Sequence, residues 1–286
     1  MALRILTLFA RHGTQTYANA LDELDAFYAR RLAAAQRELV VIDNALPETH
    51  QEPLGRNRTL IGAAERAREF TSWDRGLAFA GVRLETFDFV HLVTAAFREL
   101  YNRYIDRFDA DMLSAVQGRP AAIGHIDRYD APVRLLGRCS QSWLRTSFLF
   151  LSPTEIRLLG MLTSLSEGTG LFSGDPAAPF HASAALGREY QSYILGWLTG
   201  AGTGQGVTWH SRFDLTPSSL PQFEAKTLAI LNEHALTMRL RAQGCAIVDA
   251  TWLATKAGRL RASQRLDIPD WRQQLAERDV DSVLVD

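Results

Sequence analysis

The chain has 286 residues, 47% of them apolar and 22% charged, with a formal net charge of −1. This composition excludes a disordered chain, a collagen-like repeat and a coiled coil, and it leaves room for one large domain or two small ones. With no Lys/Arg block the chain does not resemble a protein whose main task is gripping nucleic acid, and two cysteines, Cys139 and Cys245, are too few for a disulfide framework or a Cys-rich zinc site.

The first element expected is a strand at Arg4–Ala10, an apolar run stopped by Arg11-His12-Gly13. Tyr17, Leu21, Leu24, Tyr28 and Leu32 then recur at helical spacing. A short apolar strand follows at Glu38–Asn44, closed by Asp43 and Asn44, and strand–helix–strand is the opening of a parallel α/β sheet. The polar stretch Glu48–Asn57 is expected to be a loop. A brief strand at Thr59–Ile61 then opens into a helix at Ala63–Phe79 with a stripe of Ala63, Ala67, Phe70 and Leu77.

Phe87–Val93 is the fourth expected strand, and Phe97, Leu100, Tyr101, Tyr104 and Phe108 follow at helical spacing. Ala121–Ile126 and Ser147–Leu151 are further strands. Ser152-Pro153-Thr154-Glu155 predicts a helix start closed by a capping box. Beyond residue 166 come two Gly-rich loops (Ser166–Pro179 and Gly200–Gly206), helices near His181–Thr199 and Pro221–Gln243, a late strand at Cys245–Asp249 and a terminal helix at Asp270–Arg278. The expected architecture is an α/β core over residues 1–165 with a helix-rich extension over 166–286.

The first residues lack the apolar length and cleavage site of a signal peptide, and the longest apolar stretch, near Trp143–Leu151, is broken by Arg145. A cytoplasmic chain is therefore expected, without a transmembrane segment; peripheral membrane contact stays compatible with it. All but two of the 31 basic residues are arginines, the exceptions being Lys226 and Lys256, which fits genome composition.

In an open α/β sheet, ligands bind beyond the carboxyl ends of the strands. Arg11, His12, Asp43, Asn44, Gly62 and Thr94 occupy those positions. Asp43 is suited to a nucleotide base or ribose, or to starting a turn. Arg11-His12-Gly13 is also the tripeptide in which histidine phosphatases carry their nucleophile. Glu65-Arg66-Ala67-Arg68-Glu69 is faintly similar to their second arginine motif, with Gly124-His125 in the place of a second histidine. That motif does not complete, because Thr14-Gln15-Thr16 follows and Asn19 lies one place too far.

A broader resemblance runs over roughly residues 4–160. "VVIDNALP" resembles the opening of a GT-A type glycosyltransferase. "AAERAREFTSWDRGL" resembles the signature of glycosyltransferases related to rhamnan synthesis protein F, matched at Glu69, Phe70, Trp73, Gly76 and Leu77. "DFVHLV" and "SQSWLRTSFLFLS" fall where that family has its central and later strands. The resemblance implies a GT-A-like (Rossmann-like), mixed and mainly parallel sheet flanked by helices. It also implies transfer of a sugar from a UDP-, dTDP- or GDP-linked donor to a glycan or lipid-linked glycan in bacterial surface polysaccharide synthesis. Arg11, His12, Asp43, Asn44, Gly62, Arg66, Glu69, Trp73, Asp74 and Thr94 are the expected donor contacts. His125, Trp143, Arg145, Trp209 and His210 are the expected acceptor contacts, and Asp127 is the expected catalytic base.

Many such enzymes hold a divalent cation through an Asp-x-Asp element. Here that place reads His91-Leu92-Val93-Thr94-Ala95, so no metal ligand and no other cofactor is assigned. Arg11, Arg66 or Arg145 would then meet the leaving diphosphate. Two other readings stay open: a phosphohydrolase or mutase acting through His12, and a non-catalytic GT-A-like domain that binds sugar nucleotide. Glu233-His234 reads as a surface or partner-facing pair on its helix, and the Gly200–Gly206 loop as a lid or linker.

Overall fold

The first strand, β1 (Arg4–Arg11), alternates in the way a doubly covered strand must: Ile5 and Phe9 enter one hydrophobic core, and Leu6, Leu8 and Ala10 enter the other. The computed structural model describes residues 2–64, 68–99, 102–168, 170–202, 214–257 and 266–278. In chain order the further strands are β2 (Gln36–Asp43), β3 (Gln51–Gly55), β4 (Arg58–Gly62), β5 (Phe89–Thr94), β6 (Ala121–Gly124), β7 (Ile126–Leu135), β8 (Arg138–Leu144), β9 (Phe148–Leu151) and β10 (Ala246–Asp249). The helices are α1 (Ala20–Arg31), α2 (Glu69–Ala80), α3 (Ala110–Ser114), α4 (Pro153–Leu159), α5 (Arg188–Thr199), α6 (Leu220–Ala242), α7 (Ala250–Ala257) and α8 (Trp271–Glu277).

Eight strands form one mixed sheet in the order β10-β6-β9-β5-β1-β2-β4-β3. β1 pairs in parallel with both β2 and β5, β2 with β4, and β10 with β6. β9 runs antiparallel between β5 and β6, and β3 antiparallel on the outer edge of β4. The chain therefore leaves β1 toward β2 on one side and later returns to β5 on the other. The crevice at the carboxyl ends of these strands is the topological switch point of the sheet. α1, α3 and α7 cover one face, and α2, α4, α8 and the C-terminal half of α6 the other. The result is a mixed α/β fold of generic Rossmann-like arrangement, a central sheet with helices on both faces.

β7 and β8 form a separate antiparallel hairpin, which the sequence reading did not separate from its neighbours. Its two-residue turn, Leu136-Gly137, has positive φ at both positions (49° and 75°), the hairpin-favouring geometry usually marked by Asn-Gly. Leucine there hides the signal. The hairpin packs on α5 and the N-terminal half of α6 in a third cluster built around Tyr129, Trp143, Tyr190 and Phe223.

Other expectations change in detail. The polar loop at 48–57 contains β3, whose residues are all exposed, so no alternation betrays it. The Phe97–Phe108 segment is not a helix; its described residues are turns and a 3-10 turn at Arg103–Arg107. Its aromatic spacing reflects burial against Phe148 and Phe150, not helical hydrogen bonding. α2 begins at Glu69 rather than Ala63, with a stripe of Phe70, Trp73, Gly76 and Ala80. Gly76 lets α2 pack closely there, because a Cβ would lie 2.7 Å from the end of the Ile42 side chain, which would have to shift. α5 begins at Arg188 rather than His181.

α4 starts after Ser152 as expected, yet the capping box does not form. Ser152 makes no side-chain cap, and the buried Glu155 accepts instead from Gln243 Nε2 at 2.7 Å. α7 was not anticipated. The boundary expected at 165/166 does not bound the sheet, since β10 returns to pair with β6. No helix among the described residues is long and apolar enough to cross a membrane.

Candidate functional site

A cavity of about 400 Å³ opens over the switch point. Ala10, Arg11 and His12 reach it from the end of β1, Asn44 from the end of β2, and Thr94 and Ala95 from the end of β5. Arg68 and Glu69 enter from the start of α2, and Lys226, Ile230 and Glu233 from α6. The sheet supplies the floor because its strand ends are the one place where the backbone diverges. α6 closes the far wall because its long apolar stripe is buried against both the hairpin and the sheet.

The residues at the strand ends are organised around Asp43. Its buried carboxylate accepts from Arg11 Nε at 2.7 Å, from the Gly13 N–H at 2.8 Å and from the Ala45 N–H at 2.9 Å. Burial alone would raise this carboxyl, but those two N–H groups and the Arg11 guanidinium outweigh it and hold it below its ordinary value. Asp43 thus fastens the Arg11–Gly13 turn and does not line the cavity. Asn44 lines it while donating to the Ala64 carbonyl at 3.1 Å and accepting from Ser72 Oγ at 2.5 Å. His12 is exposed at the rim.

The far wall holds a carboxyl of strongly altered acidity. Glu233 Oε1 accepts from the Thr146 N–H at 3.2 Å. Burial, then the neighbouring Glu69 carboxyl, pushes Glu233 up to about 8, against the pull of Arg145 and the Thr146 N–H. Burial raises Glu69 as well. Glu233 therefore keeps its proton to higher pH than an ordinary glutamate, and Glu69 is shifted in the same direction. This corrects the reading of Glu233-His234 as a surface pair. His234 is fully buried, its Nδ1 lies 2.8 Å from Tyr190 Oη, and burial takes it down to about 3. The sequence holds no signal for this pair beyond its place on an amphipathic helix.

Behind Glu233 lies a second polar cluster. Asp127, on β7, pairs with Arg145 Nε and lies 3.4 Å from His125 Nε2, while the Arg145 N–H donates to the His125 carbonyl at 3.0 Å. Burial would raise the Asp127 carboxyl, but the Arg145 charge and the His125 side chain drive it far below the usual carboxylate range. A carboxylate so stabilised by its partners has little affinity for another proton, so Asp127 is poorly suited to the base role assigned to it from its position after a strand.

The remaining expected residues separate cleanly. Arg11, His12, Asn44, Glu69 and Thr94 line the cavity. Trp73 does not; it is fully buried, and its indole N–H donates to the Leu8 carbonyl at 3.2 Å, tying α2 to β1. The Asp74 carboxylate accepts from the Leu162 and Thr163 N–H groups, anchoring the chain after α4. Gly62 is a packing glycine whose Cβ would lie 1.8 Å from the Pro47 carbonyl oxygen. His125, Trp143 and Arg145 are placed behind the cavity, with the Trp143 ring tilted against Tyr129 and His234. Arg66, Trp209 and His210 lie outside the described residues, as does the Gly200–Gly206 loop beyond Gly202.

At the position of the acidic element, His91 points into the core and stacks on Phe150, and the Glu99 carboxylate accepts from Tyr17 Oη at 2.7 Å. No group of three or more His, Cys, Asp or Glu among the described residues is arranged to hold a metal ion. The described residues at that place, a core-facing imidazole and a tyrosine-bound carboxylate, do not fit a hard-cation site. Comparison with family models, with curated proteins and with solved structures gives no match in any of the three.

Proposed function

We propose that this chain is a GT-A type glycosyltransferase that moves a sugar from a nucleoside diphosphate donor to a hydroxyl of a glycan acceptor. The reading follows the resemblance to rhamnan-synthesis enzymes, which also suggests surface polysaccharide as the product. The observation that carries it is the cavity itself. It sits over the switch point of a mixed, mainly parallel sheet, with basic side chains on its walls and the Glu233 carboxyl facing in. A mixed sheet with one reversed strand beside β5 agrees with the GT-A arrangement that the resemblance implies.

In this reading Glu233 is the base. In its ionised form, whose share grows as pH approaches about 8, its carboxylate takes the proton of the acceptor hydroxyl as that oxygen bonds to the anomeric carbon. The bond from that carbon to the diphosphate oxygen breaks, and the electron pair leaves with the diphosphate. A base with a proton affinity near 8 is matched to an alcohol better than an ordinary carboxylate. Asp127 and Arg145 act from behind, holding the chain that presents the Thr146 N–H to Glu233.

The test is release of nucleoside diphosphate from UDP-, dTDP- and GDP-sugars in the presence of glycan acceptors. Glu233→Gln is expected to lower turnover by about a hundredfold or more, while Asp127→Asn, checked for folding, costs less. Equal losses in the two variants, or a loss only in Asp127→Asn, would return the base role to Asp127. Turnover of phosphate monoesters that depends on His12, with sugar nucleotides inert, would replace this reading with the phosphohydrolase one.

A further inference from the structure

Two cations meet in the cavity from opposite ends of the sequence. Arg68 is the residue at the N-terminus of α2, and Lys226 stands on α6; both line the cavity and both are partly buried. Burial, then the charge of Arg68, lowers the proton affinity of Lys226, so the two like charges feel each other across the cavity. Holding two cations together in a partly buried space is costly unless an anion joins them.

Three further features point the same way. The buried Nε of Arg68 has no hydrogen-bond partner among the described residues. Arg68 adopts a positive φ of 49°, a conformation an arginine takes only where the surroundings over-determine it, and strain of this kind gathers at ligand sites. α2 is twelve residues long and begins with no side-chain cap from Arg68, and its first turn, whose one acid is Glu69, borders the same space. Three carboxyls share the cavity, and the Glu99 charge opposes the effect of Arg68 on Lys226. Glu69 and Glu233 are raised toward their neutral forms, and Glu99 is engaged by Tyr17.

We infer that Arg68 and Lys226 form the seat of a diphosphate, taking the charge of the donor's leaving group between the start of α2 and the wall of α6. The inference rests on the glycosyltransferase reading only for the name of the anion. The geometry asks for a compact group with at least two negative charges, which a guanidinium and an ammonium hold by charge-assisted hydrogen bonds. As the bond to the anomeric carbon breaks, negative charge grows on the diphosphate, and these two cations would gain most at that moment.

The experiment is calorimetric titration of the whole chain with inorganic pyrophosphate and with UDP, dTDP and GDP. The proteins are wild type, Lys226→Met, Lys226→Arg, Arg68→Met and, as a control, Lys256→Met, whose residue pairs with Glu277 away from the cavity. Pyrophosphate affinity is expected to fall about ten- to a hundredfold in Lys226→Met and in Arg68→Met. It should recover in part in Lys226→Arg and stay unchanged in Lys256→Met. If Arg68→Met does not fold, the two Lys226 variants decide the matter alone. No pyrophosphate binding by wild type, or equal affinity in wild type and Lys226→Met, overturns the inference. Pyrophosphate binding that depends on Lys226 in a chain inert toward every sugar nucleotide supports the seat and removes the transferase reading. Sugar transfer with unaltered kinetics in Lys226→Met keeps the transferase reading and removes the seat.

Discussion

Glu233 shows how one residue's chemistry is made by its surroundings. A glutamate on a helix surface titrates near 4.5, whereas here burial and the Glu69 carboxyl take it to about 8. Between those values the folded chain holds a proton that the unfolded chain gives up, so stability falls as pH rises through this window. His234, shifted down to about 3, acts with the opposite sign, and only below about 6.5. The range from pH 6.5 to 8 therefore lies above the window in which His234 acts and within that of Glu233. Wild type should lose thermal stability across it, and Glu233→Gln should lose less. Parallel curves for the two proteins would mean that the carboxyl is ionised throughout. Asp127 is the converse case: its partners hold it below the usual carboxylate range, and position after a strand does not reveal that.

At the scale of elements, α6 does the most to shape the cavity, and its interior polar residue explains how it is held. The buried Asn232 accepts from the Ser164 and Leu165 N–H groups at 2.7 and 2.8 Å and donates to the Leu165 carbonyl at 2.8 Å. Arg239 donates to the carbonyls of Leu159, Met161 and Leu162 one turn and more further on. These bonds fasten the chain after α4 to α6 and so fix the wall that carries Lys226 and Glu233. Asn232→Ala leaves two partly buried N–H groups without their acceptor, and urea unfolding should register a loss of about 2–3 kcal/mol. A loss below about 1 kcal/mol would mean that water replaces the amide there. The β7–β8 hairpin, in contrast, owes its missed prediction to a Leu136-Gly137 turn, whose backbone geometry is ordinary and whose residue type is not.

Across the whole molecule the last strand and the last helix lock the far edge of the sheet. Asp249, fully buried at the end of β10, accepts from the Ile126 N–H at 3.1 Å, the Trp252 N–H at 3.0 Å and Arg278 Nη1 at 3.1 Å. Gln274 of α8 donates to the Ile247 carbonyl and accepts from the Asp249 N–H. Asp249→Ala strands a partly buried arginine and two N–H groups, so denaturant unfolding should show a loss of about 3–5 kcal/mol. A small loss, or loss of α8 alone with the rest intact, would show that the edge is not part of one cooperative unit.

Strands β1, β2, β5 and β9 were legible because alternation and apolar runs are local properties of a chain, set by which side of a pleat each residue must occupy. The same holds for the strand-end residues Arg11, His12, Asn44 and Thr94, since the sheet's geometry puts its ligand crevice there. What local pattern could not decide was the sheet order beyond the first strands, the hairpin, and the partners of each charged group. Trp73, Asp74 and Gly62, expected as donor contacts, serve packing and chain anchoring in the fold. Glu233 and Lys226 look like ordinary helix residues, yet they line the cavity because α6 lies across the switch point. Proton affinity and charge pairing depend on desolvation and distance through space, and only the assembled chain sets either one.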